Sequence, residues 1–339
     1  MTLRDPCLVE PRRDAGEGAE RLVERYLEFV AARCRANTVA ATRSDLGVFF
    51  SVIAKEPAAV TASDVLEFIA AQRRSRGDAK VVRLADGESG LSARTIKRRV
   101  ATVSGFFSWL SIVGAVTSNP VPRGLSTRRR GRRSGVPLVR TPRTLPKVLD
   151  PGEVKALVGA LRRWRDRAMV EAMVLGGLRR CEVLGLRIED LRPAERRVFV
   201  AQGKGGHQRL VPISPRFFAS VARYLDGERP AESGTDALFV VLKGPRRGRA
   251  LSADGLDEIV RGARARAGLA HATCHELRHT CLTRLREAGM ALEAVQAQAG
   301  HRSIESTRIY LHLANDWLAG EYLRAVELID GAELEAVTR

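Results

Sequence analysis

Apolar positions in the first third of the chain recur at helical spacing. Leu22, Tyr26, Leu27 and Val30 form one stripe starting near Ala19. Asn37 reads as the N-cap of a second helix, with Val39, Leu46, Phe49, Phe50 and Ile53 turned inward. A third helix is expected from Thr61 to about Arg74, with Val65, Phe68 and Ile69 inside. Residues 76–91 are polar and Gly-containing, and read as a surface loop. Ser92 then opens a long helix whose stripe runs through Ile96, Val100, Val103, Phe107 and Leu110 in steps of four and three. Asn119-Pro120 ends the block, giving a bundle of about four helices.

The pattern changes after Pro122. Residues 123–143 hold eight Arg and two Pro and no acid. A solvated linker and a basic strap along a phosphate backbone both fit, and they are compatible. These 21 residues, fully extended, reach at most roughly 75 Å. That is far more than the width of a major groove, about 12 Å, so domains on either side could straddle a duplex. A second domain opens at Asp150, an N-cap followed by Pro151 at the first helical position. Helices are expected at 151–162 and 165–177, with a short one at Arg180–Leu184. Val198–Val200 and Arg209–Pro212 flank Gly203-Lys204-Gly205-Gly206 and read as a β-hairpin with a Gly-rich tip. Further helices are expected at 215–226, 252–267, 274–288, 291–299, 303–312 and 315–329, with a strand at Leu238–Leu242. The fold class is therefore mainly α in two domains: a four-helix N-terminal domain and an α-rich α+β domain with a small sheet. The expected boundaries are a disordered lead over 1–17, a first domain over 18–122, an Arg-rich linker over 123–148 and a second domain over 149–339.

Charge narrows the function. Lys+Arg number 57 against 39 Asp+Glu, a formal net of +18. Such an excess favours a polyanionic partner and salt-sensitive association. Seven of the basic residues are Lys and the rest Arg, whose planar fork can hold two phosphate oxygens. The five cysteines are scattered without a C-x-x-C, which points to a reducing cytosol. No signal peptide is visible at the start. Ala101–Pro122 carries no charge but is too rich in Ser, Thr, Gly and Asn to be a membrane span; it reads as the end of a buried helix and a turn.

The stretch His275-Glu276-Leu277-Arg278-His279 has two incompatible readings. As H-E-x-x-H it spells a zinc-protease motif. As H-x-x-R it places His275 and Arg278 on one helix face, ready to grip a phosphate. The metal reading is the weaker: Thr273 and Glu276 form a capping box, the metzincin extension fails at Leu282 and Leu285, and Arg278 would sit beside a metal cation. Under the phosphate reading, three other segments gain meaning: Gly177-Leu178-Arg179-Arg180-Cys181-Glu182, Lys204 on the hairpin tip, and Gly300-His301 followed nine residues later by Tyr310. A Tyr hydroxyl can act as a covalent nucleophile if cations or a base lower its pKa from about 10.

The ordered set Arg179, Lys204, His275-x-x-Arg278, His301 and Tyr310 resembles the tyrosine recombinases, the phage integrase family. The resemblance covers most of the chain; the long Ser92–Leu110 helix, with Thr95-Ile96 and Phe106-Phe107, is similar to part of that family's core-binding domain. It implies a SAM-like core-binding domain, a catalytic domain of the DNA breaking-rejoining fold ending in a C-terminal helix, and a Xer-like site-specific recombinase or integrase. It also implies roles. Tyr310 would attack a DNA phosphate and leave a 3′-phosphotyrosyl link. Arg179 and Arg278 would clamp the nonbridging oxygens, and Lys204 would protonate the 5′-oxygen. His275 would assist proton transfer, and His301 would donate to the phosphate. Glu182 would orient a neighbour, taken to be a histidine, and His279 would lend support. Arg123, Arg128, Arg129, Arg130, Arg132 and Arg133 would bind DNA. No metal and no cofactor are implied; the partners would be double-stranded DNA and further copies of the chain, as a tetramer on paired sites. The place of action would be the cytoplasm, at the nucleoid. His207, Ala299 and Thr42 depart from the family's usual residues, and Ala299 would loosen packing near His301. Two alternatives stay open: an inactive DNA-binding regulator of the same fold, and a zinc hydrolase.

Overall fold

The computed structural model describes residues 18–74, 90–122, 138–141, 147–201 and 208–301, together with Thr307. The chain divides into two compact units, Met1–Arg143 and Thr144–Arg339. Among the described residues no helix is long and apolar enough to cross a membrane. The lead at 1–17, the hairpin tip with Lys204, the six arginines from Arg123 to Arg133, Tyr310 and the expected helices at 303–312 and 315–329 lie outside the described residues.

In the first unit α1 (Ala19–Ala31), α2 (Ala36–Val52), α3 (Ala62–Arg73) and α4 (Ala93–Ile112) pack around one core. Its centre is aromatic. Phe49, Phe68, Phe106 and Phe107 are fully buried, and Phe49 meets Phe68 edge-on at 5.0 Å between ring centres, a favoured geometry for rings of opposite edge and face charge. Thr61 and Asp64 close a capping box on α3, and Ser92 caps α4. The expected cap at Asn37 is corrected: the N-cap is Arg35, whose carbonyl accepts from Thr38 at 2.8 Å and Val39 at 3.3 Å. Asn37 therefore sits inside the first turn.

The second unit is mostly helical. In order come α5 (Pro151–Gly159), α6 (Trp164–Val174), α7 (Arg180–Leu184), β1 (Leu191–Arg192), β2 (Arg197–Val200), β3 (Arg209–Pro212), α8 (Pro215–Gly227), α9 (Ala253–Arg266), α10 (Cys274–Glu287) and α11 (Leu292–Ala299). The three strands form an antiparallel sheet in the order β1-β2-β3, with Val200 opposite Arg209. Asp150 and Glu153 form the capping box at Pro151. α6 is buried along nearly its whole length, between α8 and α10.

The expected strand at Leu238–Leu242 does not form. The run is apolar and Leu238, Phe239 and Val240 are buried, but its backbone is shared between side chains and two separate segments, Leu238 N donating to Leu186 O at 2.8 Å and Leu251 N to Phe239 O at 3.1 Å, without a continuous ladder. The Tyr224 hydroxyl donates to Leu238 O at 3.1 Å and accepts from Val240 N at 3.2 Å. Arg165 donates to Val240 O at 2.9 Å. Isolated bridges at Ala237 and Val240 are what remains of pairing. A buried backbone group needs a partner, not a strand as such.

Candidate active site

Four elements bring charged side chains to one place. α6 ends in a turn that Gly177 takes in the left-handed region, at φ 66°. The turn leads through Leu178 to Arg179, the N-cap of α7. Three residues on, Glu182 faces back: its carboxylate accepts from the Arg179 backbone N–H at 2.9 Å and from the Arg179 guanidinium at 2.7 Å. Arg209 reaches the same carboxylate from β3 and donates to both oxygens, at 3.0 and 2.9 Å. Arg278, from the first turns of α10, places Nη1 3.8 Å from Glu182 Oε2. The Glu182 side chain is fully buried.

Burial alone pushes the Glu182 carboxyl upward. Hydrogen bonds from Arg209 and from the Arg179 backbone, with the two guanidinium charges, overcome it and hold the group at about 2. Glu182 is therefore an anion that gathers arginines. The hydrogen bonds that Glu182 accepts come from Arg179 and Arg209, not from the histidine expected.

Arg278 is nearly sealed, with 3% of its surface exposed. It donates to Gly177 O and, at 2.7 Å, to Ala299 O. Its Nη2 also lies 3.2 Å from His301 Nε2. A guanidinium only donates, so that ring nitrogen accepts, and Nδ1–H is left to donate to Thr307 Oγ1 at 2.9 Å. This is a neutral imidazole. Burial lowers the His301 pKa to about 4, assisted by Arg278, Arg179, His279 and Arg209. Ala299 is completely buried beside Leu282 and Val295, so the expected loosening there is corrected: the small side chain is packed.

α11 stops at Gly300, which takes φ 60°. Arg179 donates to Gly300 O at 3.3 Å. The Arg209 guanidinium lies against the Gly300 α-carbon, where an added Cβ would meet Arg209 Cζ at 2.9 Å. Glycine thus serves twice, for the left-handed turn and for the close approach.

His275 and His279, one turn apart on α10, share a hydrogen bond of 2.8 Å between their Nε2 atoms. Burial lowers the His279 pKa to about 4, with His275 and Arg278 adding repulsion. The Thr273 hydroxyl caps α10 by accepting from Glu276 N at 3.2 Å. The reciprocal half of the expected capping box is absent: Glu276 turns toward His271, with Oε1 3.6 Å from Nδ1. Among the described residues no group of three or more His, Cys, Asp or Glu is placed to hold a metal ion.

The structure thus brings together Arg179, Glu182, Arg278 and His301, and places His275 beside His279 on the helix that carries Arg278. Arg209 was not singled out by sequence. Period two along β3 contained the signal, since Val211 is buried and Arg209 shares its face, while Leu210 points out.

The phage integrase family model matches residues 147–316. A tyrosine recombinase XerC from Roseiflexus sp. (strain RS-1) is 31% identical over 304 residues, covering 86% of this chain and 88% of the relative. Among solved structures, the Tn1549 transposon integrase in complex with a circular intermediate DNA is similar with a TM-score of 0.64 at 18% identity, over 91% of this chain and 100% of that one. A lambda integrase tetramer bound to a Holliday junction is similar with a TM-score of 0.60 at 19% identity, over 86% and 79%. These structural likenesses concern the fold: a mainly helical chain with a small three-stranded sheet. The sequence matches go further, and by them this chain belongs to the phage integrase family, the tyrosine recombinases.

Proposed function

We propose that this tyrosine recombinase cuts and rejoins double-stranded DNA at specific sites through a covalent link between Tyr310 and a 3′-phosphate. The observation that carries the reading is the convergence of Arg179 and Arg278 on Glu182, with Arg278 donating to His301 at 3.2 Å. Two guanidiniums anchored in a buried setting are suited to the charge that develops on the nonbridging oxygens of a pentavalent phosphate. In this role they supply the electrostatic stabilisation that a metal ion supplies in other phosphoryl-transfer enzymes.

In the proposed sequence the Tyr310 oxygen attacks phosphorus, its proton passing to a base such as His275. The bond to the 5′-oxygen breaks, and Lys204 protonates that leaving group. The phosphodiester energy is conserved in the phosphotyrosine, so no nucleotide cofactor enters. A second DNA end reverses the steps. His301 needs a proton on Nε2 to donate to the phosphate. It lacks one in the resting arrangement, and an arriving phosphodiester, a monoanion that gains negative charge in the pentavalent state, would raise its pKa toward the protonated form. His279, sharing its hydrogen bond with His275, would steer that ring.

The structural relatives described above are named as complexes with DNA, one of them a tetramer on a Holliday junction. That supports duplex DNA as the partner of this chain and a tetramer on paired sites as its working assembly, with Arg123, Arg128, Arg129, Arg130, Arg132 and Arg133 contacting phosphates. The net charge of +18 is consistent with both. The place of action would be the cytoplasm, at the nucleoid.

The test is a nicked suicide duplex built from sequence flanking the gene, incubated with the protein in EDTA. The expected product is a denaturation-resistant protein–DNA adduct that disappears in Tyr310→Phe. An adduct that persists in Tyr310→Phe, or activity that is lost in EDTA, would sink the reading.

A further inference from the structure

Arg209 stands apart from the residues assigned roles above. It is on β3, only 14% of its side chain is exposed, and it makes the bidentate contact with Glu182. Both of its terminal nitrogens are committed to the carboxylate, while its buried Nε has no hydrogen-bond partner. Its flat face lies on Gly300, the residue before His301. It is thus turned toward Glu182 rather than toward an incoming ligand.

The geometry explains what that achieves. Glu182 Oε2 accepts from Arg209 at 2.9 Å, and the next guanidinium is that of Arg278, at 3.8 Å. Arg278 rests instead on the carbonyls of Gly177 and Ala299. A buried carboxylate that loses one of its two cationic donors, here keeping only the Arg179 guanidinium on Oε1, draws the nearest guanidinium it does not yet bond, because under-compensated buried charge is unfavourable. Without Arg209, Glu182 would draw Arg278 off the two carbonyls. The Arg278 fork would then shift relative to His301 and the phosphate position.

We propose that Arg209 is a positioning residue: by occupying Glu182 through both oxygens, it keeps Arg278 aimed at the scissile phosphate. The inference rests on the reading of Arg278 as a phosphate clamp. The role is electrostatic and geometric, and Arg209 itself touches no substrate.

The test compares wild type, Arg209→Ala, Arg209→Lys, Glu182→Gln and the double variant Arg209→Ala/Glu182→Gln on the same nicked duplex. Single-turnover adduct formation and DNA affinity are measured separately. Misplacement of a clamp by about 1 Å can slow a reaction about a hundredfold, so Arg209→Ala should lose cleavage on that scale while affinity changes less than about threefold. Arg209→Lys keeps the charge but not the fork, and should fall between. The distinguishing arm is the double variant. Removing the carboxylate's charge removes its pull on Arg278, so the double variant should cleave at least about tenfold faster than the product of the two single losses predicts. A merely structural arginine would not show that rescue.

Undiminished cleavage in Arg209→Ala or Arg209→Lys would overturn the proposal. So would losses that multiply in the double variant, or cleavage lost only in proportion to DNA affinity. If Arg209→Ala does not fold, Arg209→Lys and Arg209→Lys/Glu182→Gln carry the same comparison. Absence of any adduct from wild type would overturn the underlying reading of the site. A wild-type adduct with no Arg209 effect would overturn only the positioning role.

Discussion

Asp45 and Glu182 are both buried carboxylates held by arginines, yet they act differently on their surroundings. Asp45, on α2, accepts from Arg98 and, at 3.0 Å, from Thr102, both on α4, with Arg99 Nε 3.6 Å away. The Arg98 side chain is 52% exposed, so solvent screens much of that pairing. Asp45 joins two helices; Arg98 spreads outward, while Arg99 lies at 17% exposure. Glu182 pulls three arginines inward, two of them less than 15% exposed. Among the described residues, three guanidiniums there face one carboxylate. The first arrangement fastens a bundle. The second concentrates positive charge where water is scarce, and a phosphate would complete it.

The largest expected effect comes from removing a clamp. Arg278→Ala should lower adduct formation by about a hundredfold to a thousandfold, the scale of losing one fixed donor to a developing oxyanion, while DNA binding persists. Arg179→Ala should behave alike. Equal losses of binding and cleavage would break the distinction between gathering charge and fastening helices.

Next is stability. Glu182→Ala leaves one buried and two partly buried cations without their carboxylate and should destabilise the second unit by about 3–5 kcal/mol in urea unfolding. Asp45→Asn keeps an acceptor and leaves Arg98, its hydrogen-bonded arginine, half-exposed, so its loss should be nearer 1–2 kcal/mol, on the scale of one charged hydrogen bond, with cleavage little changed. Equal losses would show that the two carboxylates do the same job.

Acid should separate the groups in order. His279 and His301 titrate near 4 when folded, against an ordinary 6.5. The unfolded chain therefore takes up those protons first. Their contribution to stability is complete above about pH 6.5 and lost as pH falls toward 4. Glu182 titrates near 2 when folded, against 4.5, so its contribution is complete above about pH 4.5 and lost toward pH 2. Urea midpoints measured from pH 7 to pH 3 should fall first in the histidine window, and His279→Gln/His301→Gln should flatten that part. An unchanged profile in the double variant would refute the assignment.

The smallest effect is at Gly300. Gly300→Ala forces a Cβ into the left-handed region and against Arg209, and should lower stability by about 1–2 kcal/mol. Its cleavage loss should be larger than that of Gly268→Ala, which has the same sign of φ at 66° but nothing within reach of a Cβ.

Helices with a clear apolar stripe or a capping side chain were legible before the structure. Ser92 and the Ile96–Leu110 stripe define α4, and Asp150 with Pro151 defines the start of α5. The failures at Leu238 and Arg209 share a cause, since each depends on partners far away in sequence. The apolar run at Leu238 looks like a strand, but its backbone is divided among isolated bridges to distant segments and the side chains of Tyr224 and Arg165. β1, two residues long, is too short to show a period. In the candidate site, Arg179, Arg278 and His301 stood out through their order along the chain. Arg209 did not, because nothing local distinguishes an arginine that points inward from one that points to water. The partners of Glu182 were misjudged partly for the same reason: besides Arg179, three residues before it, they arrive from β3 and α10.

The left-handed end of α11 has one more consequence. It turns the carbonyls of Ala299 and Gly300 toward Arg278 and Arg179, at the end of a helix where the backbone dipoles leave partial negative charge. The arginines therefore have a resting partner. Under the proposed function, arrival of a phosphate would then be an exchange of acceptors, not the stripping of water from bare cations. The strength of α11's hold on them sets how readily they change hands.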